Sequence, residues 1–187
     1  MTLLARLTRT LAIRFRSRSL NHAPSPVLAQ AIPWLSILLA SLLPLMPVIA
    51  SAPVLPPFGL LMLLAWRQVR PGVLPIWAGL PLGFFDDLFS GQPFGSAILL
   101  WSLAMIGLDA IEARFPWRSY WLDWLVSAGL IFACQSLGLA FANAAGGSAA
   151  ITVLIPQLVT AILLYPLSGR LVSALDRLRL MPIVELD

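Results

Sequence analysis

Residues 83–95 read GFFDDLFSGQPFG, and the fold turns on what this stretch is. Two adjacent carboxylates, Asp86 and Asp87, stand at the end of a long apolar run, and Gly, Pro and Gly follow at once. One reading is a catalytic or ion-binding pair within a membrane. The other is a helix end and a turn into the next helix. A helix starting near Val73 places Asp86 about 20 Å along at 1.5 Å per residue. Against a hydrocarbon core of about 30 Å, both acids then lie in the outer third. Adjacent helical positions diverge by about 100°, so the two carboxylates do not share one pocket: one turns to the bundle and one outward.

Both also sit at a helix C-terminus, where negative charge opposes the macrodipole and needs compensation. The backbone N–H groups of residues 91–96 are the expected partners, with Ser90 or Gln92 assisting. Gly91 and Gly95 permit a tight turn, and Pro93 stiffens it. Three roles stay open for this segment: a turn clamp made by one Asp, an ion or proton site, and a direct contact with a partner protein through residues such as Asp86 and Pro93.

Working outward, the chain of 187 residues is 59% hydrophobic and only 11% charged. A soluble domain carries about 25% charged residues, so the composition is that of an integral membrane protein with little soluble mass. One cysteine, Cys134, and one histidine, His22, leave neither an intramolecular disulfide nor a Cys/His metal cluster. All 12 basic residues are arginine, in clusters separated by membrane-length segments. Nucleic acid is excluded as a partner on that ground, because the clusters do not gather on one folded face.

Six apolar segments approach spanning length: 32–50, 55–69, 73–90, 94–112, 122–142 and 149–173. With a cytoplasmic N-terminus, the inner segments 1–31, 67–72, 113–121 and 170–187 hold 5, 2, 2 and 3 Arg, which is all 12, and the outer turns hold none. Five spans would put Arg170, Arg177 and Arg179 outside, against the positive-inside bias. The expected architecture is therefore all-α: a compact bundle of six transmembrane helices over residues 32–173, with both termini cytoplasmic. A basic N-terminal extension, 1–31, precedes it, and a cytoplasmic tail, 174–187, follows. Pro33, Pro44, Pro47, Pro75, Pro81, Pro156 and Pro166 are expected to kink the spans. Residues 2–20 read either as an interfacial amphipathic helix on membrane lipids or as a basic tail. Ala50-Ser51-Ala52 has the form of a cleavage site, but the run before it is span-length and Pro53 would follow the cut.

Chemistry is sparse. His22 is remote from every apolar segment, so no Ser–His or Cys–His pair forms within the membrane. Asp109, Glu112 and Asp123 fall near the inner face, across the bilayer from Asp86 and Asp87. The outer turn AAGGS at 144–148 lacks a lysine and is no phosphate loop. No enzyme activity and no cofactor are expected. Asp109, Glu112 and Arg114 read as a solvated helix end. Gln135, Asn143, Gln157 and Thr160 read as interhelical hydrogen bonds. Trp66, Trp77, Trp117, Trp121 and Trp124 read as an interfacial belt. Small residues in the fifth segment, among them Gly129 and Gly138, read as sites of close helix approach.

Residues 79–103, GLPLGFFDDLFSGQPFGSAILLWSL, resemble the bacterial rod shape-determining protein MreD family. That family shows a helix ending in G-x-x-x-D-L, a G-x-x-x-G turn and another apolar helix. Here these are Gly83, Asp87, Leu88, Gly91 and Gly95. Pro57 before LLMLLAW and a short basic loop, and Tyr165-Pro166 before an Arg-rich end, support the resemblance, and size and the expected six-span topology agree with it over residues 32–180. Asp86 departs from the pattern, which usually has an apolar residue there. The resemblance implies a non-catalytic subunit of the cell-elongation machinery in the bacterial inner membrane. It implies association with MreC, and through it with a RodA-type glycosyltransferase, a class B penicillin-binding protein and MreB filaments in peptidoglycan synthesis. It also implies a fold similar to the S components of energy-coupling-factor vitamin transporters. Such a substrate-binding subunit is the alternative reading, and it would need polar or aromatic side chains around a cavity opening outward. The outer turns here are short and polar-poor.

Overall fold

A computed structural model describes residues 26–45, 55–115 and 119–179. The proposed interfacial helix at 2–20, the cleavage-like Ala50-Ser51-Ala52, Pro47, Trp117 and the last eight residues lie outside the described residues. The described chain is all-helical: α1 (Pro26–Leu42), α2 (Phe58–Val69), α3 (Gly79–Phe89), α4 (Ser96–Arg114), α5 (Tyr120–Ala144) and α6 (Leu154–Arg179). Short 3₁₀ turns follow α1 and precede α3 and α6.

Contacts between helices give their directions. Trp66 Nε1 donates to Ser36 Oγ at 2.8 Å, and Gly59 lies against Ser41, so α1 and α2 are antiparallel. Gly79 lies against Ser102 and Gly83 against Ala97, so α3 and α4 are antiparallel. Gly107 faces Leu130 while Gly138 faces Leu100, which opposes α5 to α4. Trp124 Nε1 reaches Ile162 O at 3.3 Å across the α5–α6 pair. Asp87, Gly95 and Asn143 thus share one end of the bundle, and Arg67, Asp109 and Asp176 the other.

The core forms around α2. Every residue from Gly59 to Arg67 is buried, so this helix is enclosed on all sides. α4 buries Ala97, Leu100, Trp101, Ala104, Met105 and Leu108 at three- and four-residue spacing and exposes Leu99, Leu103 and Ile106 on the opposite face. A helix apolar on both faces belongs in a non-aqueous phase. Three helical segments are long and apolar enough to cross a membrane: Ser96–Arg114, Tyr120–Ala144 and Ile151–Arg179.

The second and third segments differ from expectation. α2 has 12 residues and α3 has 11, or about 18 and 17 Å at 1.5 Å per residue. Each falls short of a hydrocarbon core of about 30 Å. The reason is proline. Residues 55–57 precede α2 without helical structure, ending at Pro57, and Pro75 has extended angles, so the α-helix begins at Gly79 rather than near Val73. Asp86 is consequently seven residues into its helix, not 13, and the depth expected for it does not hold. Several prolines expected to interrupt spans occupy helix starts: Pro81 and Pro156 lie third in α3 and α6. A missing N–H has no consequence in a first turn, where no carbonyl awaits it. Pro33 and Pro166 are the prolines inside helices. α6 continues to Arg179, past the expected end of the last span at 173.

Candidate functional site

The α3–α4 hairpin contains the motif residues. Asp87 is only 6% exposed. Its Oδ2 accepts from the backbone N–H of Gly95 at 3.0 Å and of Ile98 at 3.2 Å. Its Oδ1 accepts from the N–H of Ala97 at 2.9 Å and from the Ser96 hydroxyl at 3.3 Å. These N–H groups belong to the start of α4, where four donors lack intrahelical partners. Asp87 therefore caps a helix from eight to eleven residues upstream, with its charge at the positive end of the α4 dipole. Of the expected donors, residues 91–96, Gly95 takes part; the other two, Ala97 and Ile98, lie beyond that range, and the assisting hydroxyl is that of Ser96, not Ser90. Gln92 assists indirectly: its Oε1 lies 3.3 Å from Ser96 Oγ and packs over Gly138 of α5.

The glycines have two distinct roles. Gly91 and Gly95 have φ of +68° and +94° with open space around them, so backbone angle alone selects glycine there. Gly83 has ordinary helical angles, but a Cβ on it would sit 2.6 Å from Ala97 O. Gly79, one turn earlier, would meet Ser102 N at 2.9 Å. Gly79 and Gly83 together form the small-xxx-small groove that admits the α4 backbone. Gly79 was missed in the sequence, although its spacing from Gly83 is the signal for it. Gly129, expected to serve close approach, faces open space.

Leu88 is 54% exposed on the outer surface of α3. Pro93 O accepts from Ser96 N–H at 3.0 Å and closes the turn. Asp86 does not point away from the bundle, as one of the pair was expected to. Its Oδ1 would lie 3.2 Å from a Cβ on Gly59, in the same corner as Ser41 Oγ and the Trp101 ring. Both carboxylates thus face protein, Asp87 toward α4 and Asp86 toward α1 and α2.

The opposite end carries ion pairs. Arg67 Nη2 reaches Asp109 Oδ1 at 2.9 Å and Nη1 reaches Glu112 Oε2 at 2.8 Å. The Arg67 side chain is 5% exposed, so Asp109 and Glu112 are not simply a solvated helix end. Arg70 Nε pairs with Asp176 Oδ2 at 2.7 Å, and Arg179 pairs with the same carboxylate at 3.2 Å. Arg179 also donates to Ala29 O at 3.1 Å. These contacts tie α2 to α4 and to α6, and α6 to α1. Trp66 is fully buried at the Ser36 hydroxyl and takes no part in a belt, whereas Trp77 and Trp121 are exposed. Asn143 clasps Ala149 by two 3.0 Å bonds, a local closure of the α5–α6 turn rather than an interhelical bond.

A cavity of about 640 Å³ opens at this arginine-rich end, between the end of α2, the start of α5 and the second half of α6. Among the described residues, no three of His, Cys, Asp and Glu come together as a metal site. Comparison with protein families, with curated proteins and with solved structures finds no match for this chain.

Proposed function

We propose that this chain is an MreD-like, non-catalytic subunit of the bacterial cell-elongation machinery. It is a six-span inner-membrane scaffold with both termini cytoplasmic, holding MreC-like and peptidoglycan-synthase partners. The reading is carried by how Asp87 is used: its two oxygens are occupied by Gly95, Ser96, Ala97 and Ile98. A carboxylate so engaged holds a hairpin in shape. Gly83, Gly91 and Gly95 serve the same hairpin, so the motif is a device of architecture, and function falls to the surfaces it positions. The alternation of helix direction supports six crossings, with the short α2 enclosed by longer neighbours that supply its hydrophobic surroundings. Arg67, Arg70, Arg114, Arg170, Arg177 and Arg179 collect at one end, as the positive-inside rule requires of a cytoplasmic face.

The test is co-purification of the full chain from native membranes, with partners identified by mass spectrometry. MreC-like and penicillin-binding proteins are expected in the wild-type preparation and depleted with Asp87→Ala. Recovery of neither from the wild type defeats the reading. Thermal stabilisation of the pure protein by a water-soluble vitamin would replace it with the transporter-subunit alternative.

A further inference from the structure

The cavity at the arginine-rich end has chemistry that does not need the scaffold role, although its assignment to the inner leaflet rests on the six-span topology proposed above. One stripe of α6 forms a wall: Pro166, Gly169, Arg170, Ser173, Ala174 and Arg177 fall at three- and four-residue spacing. Small side chains at 169, 173 and 174 create the space, and a Cβ added at Gly169 would meet nothing within 4 Å. Aromatic rings line the other walls, with Tyr120 and Trp124 on α5 and Tyr165 anchored to Gln68 by a 2.6 Å bond from its hydroxyl.

The charges on this rim differ from those of the ion pairs beside it. Arg67, Arg70 and Arg179 each have a carboxylate partner. Arg170 and Arg177 are exposed at the cavity and form no ion pair among the described residues. They lie seven residues apart on one helical face, about 10 Å along the axis. Among the described residues lining the cavity, Asp123 on the α5 wall is the single acid beside two guanidiniums, so the described lining is net positive.

Depth identifies the ligand. With Leu154 taken as the outer edge of the hydrocarbon core, Arg170 lies about 24 Å and Arg177 about 35 Å along α6, on either side of the inner boundary of a core of about 30 Å. That is the level of lipid phosphates. The adjacent face of α6 exposes Leu163, Leu167 and Leu171, which are suited to acyl chains. A guanidinium offers paired N–H donors to a phosphate, and Tyr and Trp rings suit the boundary between chain and headgroup.

We infer that this cavity binds an anionic phospholipid of the inner leaflet, with its phosphate on Arg170 and Arg177 and its glycerol region against Tyr120 and Trp124. The test uses the full chain, purified in a neutral detergent and examined by native mass spectrometry and thermal unfolding. The probes are dioleoylphosphatidylglycerol, dioleoylphosphatidylcholine and inorganic phosphate. Phosphatidylglycerol is expected to bind at least tenfold more tightly than phosphatidylcholine, and phosphate alone not to compete with it. Arg170→Gln with Arg177→Gln alters two exposed, unpaired side chains and should weaken phosphatidylglycerol binding at least tenfold. Gly169→Leu projects an isobutyl group into the cavity and should weaken phosphatidylglycerol binding at least tenfold while retaining the lipid-free unfolding temperature, since leucine is the better helix former. The inference fails if the two lipids bind equally well, if phosphate displaces the lipid, or if the double-arginine variant binds like the wild type. Should Gly169→Leu not fold, the double-arginine variant decides alone.

Discussion

The two ends of the bundle solve the same problem in different ways. At one end, the buried Asp87 carboxylate is neutralised by backbone donors of a helix start, within eleven residues of sequence. At the other, the buried Arg67 guanidinium is neutralised by Asp109 and Glu112, more than 40 residues away. The first solution is local: a short turn carries its partners wherever it goes. The second exists only after α2 and α4 have packed. A carboxylate held by amides builds a rigid hairpin, whereas carboxylates held by arginines join hairpins to one another.

The largest effect is expected at the hairpin. Asp87→Ala leaves three backbone N–H groups and a hydroxyl without their acceptors and should cost about 3–5 kcal/mol, read as a lowered unfolding temperature in detergent. If the loss is below that of any ion-pair variant, the ranking of the two ends is reversed. Arg67→Met strands two carboxylates, of which Asp109 is half exposed. A cost of about 2–4 kcal/mol is expected. Combining it with Asp109→Asn and Glu112→Gln should recover most of that loss; absence of recovery would mean that packing of the arginine stem, not charge, holds α2 to α4.

Smaller changes separate contact from conformation within the hairpin. Gly83→Ala drives a methyl into the Ala97 carbonyl, with an expected cost of about 1–3 kcal/mol. Gly91→Val meets no neighbour but forces a β-branched residue to φ +68°, at about 1–2 kcal/mol. A Gly91 variant more damaging than Gly83→Ala would place the limiting constraint in the turn rather than in the helix contact. The smallest effect is expected from Asp86→Asn, below about 1 kcal/mol, because its half-buried carboxyl serves no helix end. Equal tolerance of Asp86→Asn and Asp87→Asn in a cell-shape complementation assay would remove the distinction between the two acids.

Legibility followed the same division. The Asp87 clamp could be read because its elements are contiguous: an acid at a helix end, glycines at the turn and a helix start beyond. Gly95 fell among the expected donors, but Ala97 and Ile98 could not be read, since a shift of two residues along the turn changes nothing in the pattern. Arg67 was counted among loop arginines, because an arginine at the edge of an apolar run looks the same whether it meets water or a buried pair of acids. The i, i+3 spacing of Asp109 and Glu112 was the available sign that both face one partner. The arginines on α6 that have no ion-pair partner among the described residues were equally hidden. Arg170 and Arg177 differ from Arg179 only in what lies opposite them.

Composition and arginine spacing alone determined that this is a helical chain with membrane-seeking segments, because hydropathy and charge are summed along the sequence and need no knowledge of neighbours. The glycine–aspartate motif likewise determined a closed turn between two helices. Tertiary packing decided that α2 is a short buried strut, that both Asp86 and Asp87 face protein, and that a cavity stands beside two guanidiniums with no ion-pair partner among the described residues. Each of these depends on which atoms stand opposite across helices far apart in the chain, and that proximity is created only when the bundle closes.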